Sequence, residues 1–176
     1  MSTKTSTSTT PSRPRVLLLS LHLESWFDDM YAFHLAKLRA AADVQRAETP
    51  NAAIQQLLSS DPPPCAVLVT DAALASPAGD DDVVNPAYAP VHDALLQYVR
   101  SRGGTAVFMG HFPSFVAPPD VPGFFARAGL PWDVASYQRE NFELNPAAVK
   151  GRVGAVVRGG CEVAGGYSQK ALTVKG

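Results

Sequence analysis

Apolar residues along this chain follow two alternating patterns from Arg15 onward. The run RVLLLSL at 15–21 is almost entirely apolar and lies between a proline and a polar loop, which is typical of a strand buried on both faces. Two acids suited to capping a helix, Asp28 and Asp29, come shortly after it. Apolar residues then recur at helical spacing and predict a first helix, namely Phe27, Tyr31, Leu35, Leu38 and Ala42.

The same alternation repeats until about residue 110. Short apolar runs that end in polar residues predict strands, and segments with apolar residues on one helical face predict helices. The predicted elements are, in order, a weak strand at 43–49, a helix that Thr49 and Pro50 begin, a strand at 65–71, a helix that ends at Gly103 and Gly104, and a strand at 105–110.

Two other regions depart from this alternation. Residues 72–90 carry turn formers and a cluster of acids, and we expect a long exposed loop there, either functional or a solvated insertion. Beyond Pro113 the pattern loosens. It predicts a short helix at 120–130 closed by Gly129, an extended strand or hairpin at 132–145, and a last strand near the end of the chain.

Strands that alternate with helices in this way imply right-handed crossovers and parallel pairing. We therefore predict an α/β fold, a three-layer sandwich with a mostly parallel central sheet and helices on both faces. The chain has 176 residues, enough for one domain, which we place at 13–176. Residues 1–12 are rich in Ser and Thr and predict a disordered tail, with an organelle presequence as the weaker alternative.

Composition excludes several classes of function. The formal net charge is only −1, which argues against nucleic acid as the main ligand. No apolar run approaches the roughly 20 residues of a transmembrane helix, so no membrane span is predicted. The two cysteines, Cys65 and Cys161, are too few and too far apart for a disulfide framework or a zinc site, and a cytoplasmic location is expected.

The candidate site residues follow predicted strands. In open parallel sheets ligands bind at the carboxyl ends of the strands, where loops and backbone donors converge. These positions are His22, Glu24 and Ser25 after the first strand, Thr70 and Asp71 after the third, and His111 and Ser114 after the fourth. If the sheet forms as predicted, these side chains share one rim.

The order of elements, with a sharp turn after the fourth strand, resembles the class I glutamine amidotransferase-like fold, a flavodoxin-like arrangement. In that family the turn is G-x-C-x-G and exposes a cysteine nucleophile. Here the turn reads FMGHF at 108–112, without a cysteine, and no histidine follows His111 to act as base. Amidotransferase chemistry is therefore excluded, because thiol catalysis needs a base within reach of the thiol.

Two stretches are similar to cysteine-less relatives of this fold. RGGTAVFMGH at 102–111 is similar to the Gly-rich helix end, strand and Gly/His turn of trehalose-utilisation-type proteins. GLPWDVASYQRENFELNP at 129–146 looks like segments of uncharacterised fungal proteins. The resemblance implies a fold rather than an activity. Such relatives continue beyond the position of Gly176, so the resemblance also allows for a chain that is truncated there.

The leading hypothesis is a cytoplasmic homodimer that binds a small polar metabolite at the rim, without a cofactor. His22, Glu24, Thr70 and Arg139 would contact the ligand, Arg139 by clamping a carboxylate or phosphate. Arg139 has an alternative fate, a surface ion pair with Glu140 or Glu143. No metal is predicted, because His22, Asp71 and His111 lack a supporting spacing such as H-x-x-x-H.

Two other hypotheses stay open. In the first, a hydrolase or lyase uses His111 as general base, oriented by Asp71; equally, His111 and Asp71 could each cap a helix. In the second, the aromatic segment at 112–132 docks a partner chain, although core packing explains its aromatic residues at lower cost. His34 and His92 lie beside the apolar stripes of their predicted helices, and we expect them to be structural or solvated.

Overall fold

A four-stranded parallel sheet forms the centre of the protein. The computed structural model describes residues 13–75, 88–143 and 166–176. The strands are β1 (Arg15–Leu19), β2 (Asp43–Ala47), β3 (Ala66–Val69) and β4 (Thr105–Phe108), in the spatial order β2-β1-β3-β4. The all-parallel pairing and the predicted α/β class are thereby confirmed.

Helices connect the strands and cover both faces of the sheet. They are α1 (Phe27–Met30), α2 (Ala32–Ala41), α3 (Pro50–Leu58), α4 (Tyr88–Arg102), α5 (Phe112–Phe115) and α6 (Asp120–Arg127), with a 3-10 helix at Ala72–Leu74. The predicted start of α3 is confirmed, because the Thr49 side chain accepts a hydrogen bond from the backbone N–H of Ala52 and Pro50 occupies the first turn.

The first predicted helix differs from the structure in two ways. The chain forms two helices, α1 and α2, separated at Tyr31. Asp28 and Asp29 lie within the first turn of α1 rather than at its cap, which Trp26 occupies without a side-chain hydrogen bond. Asp28 instead pairs with Arg46 at the end of β2, so its carboxylate fastens α1 to the sheet.

Two apolar clusters lie on opposite faces of the sheet and complete a three-layer sandwich. On one face Leu18 packs with Phe27 and Leu35. The larger cluster, on the other face, is built from the sheet together with α3, α4, α5 and α6, and includes Leu17, Leu19, Leu57, Val67, Leu95, Tyr98, Phe112, Phe124 and Phe125. Tyr98 is fully buried, and its hydroxyl donates a hydrogen bond to the carbonyl oxygen of Pro64 at 2.7 Å.

The later part of the chain forms a separate antiparallel pair, β5 (Asp133–Glu143) and β6 (Gly166–Lys175). The extended segment and the last strand predicted from the sequence are confirmed. This pair rests on the helices that follow β4, because Trp132 packs on Phe125 at 4.9 Å between ring centroids. The Tyr137 hydroxyl also donates a hydrogen bond to the carbonyl oxygen of Ser114 in α5.

Several sequence predictions fall on residues that the structure does not describe, or on residues next to them. The predicted tail at 1–12 and Cys161 lie outside the described residues, as does 76–87 of the predicted loop. The start of that loop forms the 3-10 helix, and α4 begins before its predicted end. Among the described residues, no helix has both the length and the apolar character needed to cross a membrane.

Candidate ligand site at the strand ends

The carboxyl ends of β1 and β3 are joined by a buried pair of hydroxyl groups. Ser20 Oγ and Thr70 Oγ1 lie 2.8 Å apart, and Thr70 Oγ1 donates to the carbonyl oxygen of Leu19 at 3.0 Å. The Ser20 hydroxyl is therefore the donor between the two. Thr70 was predicted to contact a ligand, but its side chain is buried and its hydroxyl satisfied internally, so its position favours a structural role.

Asp71 joins the loop after β3 to the loop after β1. Its Oδ2 accepts a hydrogen bond from the backbone N–H of His22, and its Oδ1 accepts one from the N–H of Ala73, both at 3.0 Å. Burial raises the pKa of Asp71, and these backbone hydrogen bonds oppose the rise. Of the two roles considered for Asp71, helix cap and orienter of His111, the structure shows the cap, on the 3-10 helix.

His111 enters the site through a turn that requires glycine. Gly110 has φ +66°, a left-handed conformation that other residues adopt at a cost, and a Cβ there would lie 3.2 Å from both Phe27 and the Thr70 carbonyl oxygen. The N–H of His111 donates to that same carbonyl oxygen at 2.9 Å. The turn therefore holds the His111 backbone against the end of β3.

The imidazole of His111 lies inside an enclosure of four aromatic rings. The centroid distances are 4.5 Å to Trp26, 5.0 Å to Phe27, 5.5 Å to Tyr31 and 5.1 Å to Phe115. Only 4% of His111 is exposed, whereas Trp26 is 39% and Phe115 58% exposed. His111 makes no side-chain capping bond to α5, so that alternative for its role is wrong.

One nitrogen of His111 finds no hydrogen-bond partner among the residues that the structure describes. This nitrogen, Nε2, is buried, and His111 follows β4 as predicted. Desolvation lowers the pKa of His111, while the negative charges of Glu24 and Asp71 oppose that shift. The imidazole is therefore neutral at neutral pH, and its unpaired nitrogen costs about 1–3 kcal/mol by the usual penalty for a buried polar group.

The structure brings the rim residues near one another but does not form the predicted catalytic pair. His22 is bonded to Asp71 through its backbone, and the charges of Glu24 and Asp71 act on His111. In the described part of the chain, however, no hydrogen bond joins the Asp71 carboxylate to the His111 ring. Both oxygens of that carboxylate accept backbone N–H groups instead.

Arg139 lies on the second sheet. It is an exposed residue of β5 that faces Lys170 across the β5-β6 pair. Within the described ranges its guanidinium forms no ion pair with Glu140 or Glu143, and no hydrogen bond joins it to a rim residue. Glu140 accepts instead from Ser136 and Gln138. The geometry thus gives Arg139 no part in the site.

The aromatic residues divide between the core and the rim. Phe112, Phe124 and Phe125 are buried in the larger cluster, and Trp132 packs against it. Trp26 and Phe115 instead cover His111. The sequence contained this signal only weakly, because Phe27 and Tyr31 have the spacing of a core stripe and nothing local places Trp26 against a residue of α5.

His92 was predicted to lie beside the apolar stripe of its helix and to be structural or solvated. The placement is wrong, because His92 lies on the buried face of α4, and of the two fates the structure shows the structural one. It is only 2% exposed and stacks on Phe124 with ring centroids 4.4 Å apart. Desolvation lowers its pKa to about 4, with a further contribution from the charge of Arg127. His34, in contrast, is exposed on α2, as predicted.

Comparisons with known proteins gave no match. No protein-family model, no curated protein and no solved structure is significantly similar to this chain. Within the described ranges, no three His, Cys, Asp or Glu side chains are grouped so that they could hold a metal ion. Proposals about function therefore depend on the geometry of the rim.

Proposed function

We propose that the rim formed by β1, β3 and β4 binds a small polar metabolite, with His111 as the residue that hydrogen-bonds it. The observation that carries this proposal is the buried, unpaired Nε2 of His111 beneath two rings that are themselves partly exposed. Folded proteins leave few such atoms unpaired, so each one calls for an explanation, and a ligand that bonds it is one such explanation.

The cover over His111 is thin enough to open. Trp26 precedes α1 and Phe115 ends the four-residue helix α5, and each ring contacts His111 although its residue is exposed. Rotation of either side chain would uncover the imidazole without disturbing the sheet. A ligand that then bonds Nε2 would remove the penalty of the unpaired nitrogen, which favours binding.

Hydrogen bonds and a glycine turn connect the segments around the imidazole. Gly110 fixes the turn, the Asp71 carboxylate ties the two neighbouring loops, and the Ser20–Thr70 pair closes the floor between β1 and β3. A binding group held by such surroundings loses little conformational freedom when the ligand arrives. This is the pre-organisation that a small-molecule site requires.

In keeping with the resemblance of its sequence, we propose that the chain is a non-thiol relative of the glutamine amidotransferase-like fold. The strand order β2-β1-β3-β4 and the Gly-His turn after β4 support this. We further propose a cytoplasmic location and a homodimer. Cys65, which is free and exposed, is compatible with a reducing compartment.

A metabolite library tests the binding site. We expect some polar compounds to raise the melting temperature of the wild-type protein and to lose this effect in His111→Gln. His34→Gln is the matched control, because His34 is exposed on α2, and it should respond as the wild type does. A His111→Gln protein that keeps every ligand response would show that His111 is not the binding residue.

A second candidate function is a hydrolase or lyase with His111 as general base. The neutral imidazole near two carboxylates favours it, since a base must be unprotonated to accept a proton. Asp71 would then act through its charge, because its oxygens bond backbone amides. Turnover of a compound that binds, followed by NMR and abolished in His111→Gln, would support this function; binding without turnover would exclude it for that compound.

A further inference from the structure

The loops around His111 carry only negative formal charge. Residues 20–31, 70–75 and 109–116 follow β1, β3 and β4, and together they contain Glu24, Asp28, Asp29 and Asp71 but no lysine or arginine. Arg46, at the end of β2, pairs with Asp28 and neutralises it. Glu24, Asp29 and Asp71 remain, and the charges of Glu24 and Asp71 act on the His111 ring. This field repels anions and attracts cations.

The exposed rings beside these carboxylates add a second, independent feature. Trp26 and Phe115 lie 6.4 Å apart between centroids, with their planes inclined by 53°. Trp26 and Phe115 are 39% and 58% exposed, and Tyr31, which also lies against His111, is partly exposed. The faces of aromatic rings attract cations within about 6 Å, most strongly those that are weakly hydrated.

Metal ions fit this arrangement poorly. Over the described ranges no three ligating side chains are grouped, and Asp71 already accepts two backbone hydrogen bonds. An organic cation needs no such ligand set, because its charge is spread over carbon-bearing groups that pack on rings. The neutral His111 imidazole does not repel it.

We propose that the rim takes a small organic cation, an amine or a methylated ammonium group, held against Trp26 and Phe115 near the Glu24 carboxylate. This inference rests on the proposed function, since it names the chemical class of ligand for the same site. The unpaired Nε2 of His111 supplies the polar contact for the remainder of the ligand.

The test compares choline with its neutral carbon analogue, in which a tert-butyl group replaces the trimethylammonium group. The two probes have nearly the same shape, so any difference in affinity reports the charge. Calorimetric titration of the wild-type protein should give an affinity at least tenfold higher for choline, and acetate should not bind.

Single substitutions locate the site. Trp26→Ala and Phe115→Ala should each weaken choline binding by about 2- to 30-fold, the range expected for one cation–π contact. Glu24→Gln should weaken choline and leave the neutral analogue unchanged. Phe33→Ala is the matched control, because Phe33 is 69% exposed on α2 and has no ring contact with His111.

The outcomes separate this inference from the proposed function. Equal affinities for choline and its neutral analogue, or tighter binding of acetate, would overturn the cation inference. If the neutral analogue or acetate bound in this way and lost affinity in Trp26→Ala, the proposed site would stand. If neither these probes nor a metabolite library perturbed the wild-type His111 signals in NMR, both the inference and the proposed function would fail.

Discussion

The backbone N–H of His22 donates a hydrogen bond to Oδ2 of Asp71 at a distance of 3.0 Å, although the two residues follow different strands. Through this bond the loop after β1 is fastened to the start of the 3-10 helix after β3. The same carboxylate caps that helix at Ala73. One side chain therefore sets the relative position of two of the three loops that surround His111.

Replacement of Asp71 should separate these two loops. Asp71→Ala removes both acceptors, and we expect a loss of about 1–3 kcal/mol in the free energy of unfolding, measured in urea at neutral pH. Asp71→Asn keeps one acceptor and should lose less. A change of only a few tenths of a kcal/mol in Asp71→Ala would show that the bonds contribute little.

The contribution of Asp71 to the free energy of unfolding depends on pH with a defined sign. Because the pKa of Asp71 is raised in the folded protein, the folded state binds that proton more tightly than the unfolded state does. The contribution of Asp71 to stability therefore falls as pH rises from the unfolded pKa through the folded one. Asp71→Asn should lack this decline when unfolding is measured over that range.

His92 should make the protein sensitive to acid. Its pKa is lowered from 6.5 to about 4, so the unfolded state binds more protons than the folded state between these values. Stability then falls as pH decreases through that interval, by about 3 kcal/mol over the whole shift. His92→Leu should reduce the slope of unfolding free energy against pH, and His34→Gln should not. Equal slopes in His92→Leu and wild type would contradict the assignment.

The fluorescence of Trp26 should report the protonation of His111, because an imidazolium quenches an indole in contact with it and the two rings lie 4.5 Å apart. In a Trp132→Phe background we expect quenching on acidification with an inflection below 6.5, since burial lowers the pKa of His111. His111→Gln should abolish the inflection. His22→Gln should preserve the inflection. Loss of the inflection in His22→Gln would show that the signal does not come from His111 alone.

Alanine substitutions at the two adjacent glycines after α4 should each destabilise the protein, for different reasons. A Cβ at Gly104 would overlap the buried Tyr98 ring, so Gly104→Ala should cost about 1–3 kcal/mol or more from overpacking. Gly103 has φ +65° and open space around it, so Gly103→Ala should cost about 1–2 kcal/mol from its backbone conformation alone. A Tyr98→Ala background should reduce the effect at Gly104 only.

Local sequence patterns were sufficient to predict the central sheet. RVLLLSL, CAVLVTD and TAVFMG are short apolar runs, and each became a parallel strand. Burial on both faces accounts for the composition of β1, whereas β4 is an edge strand whose residues are half-buried or exposed. The same reasoning placed His22, Asp71 and His111 at one rim. It failed to divide α1 from α2, since the apolar spacing continues through Tyr31 where the helix is interrupted.

The environment of the rim residues could not be predicted in this way. The contacts of Trp26 with His111 and with Phe115 join residues more than 80 positions apart, whereas periodicity reports only neighbours along the chain. The burial of His92 also depends on a distant residue, because Phe124 of α6 covers it. Arg139 carried suitable chemistry, yet its strand belongs to the other sheet.

The Asp71 bridge also has a mechanical consequence. One carboxylate accepts hydrogen bonds from the amides of both His22 and Ala73. A ligand that displaces the Trp26 ring should therefore disturb the loop after β3 as well as the loop after β1. The exchange of these two amide protons with deuterated solvent should therefore accelerate or slow together, which makes them paired sensors of occupancy at a site that neither of them touches.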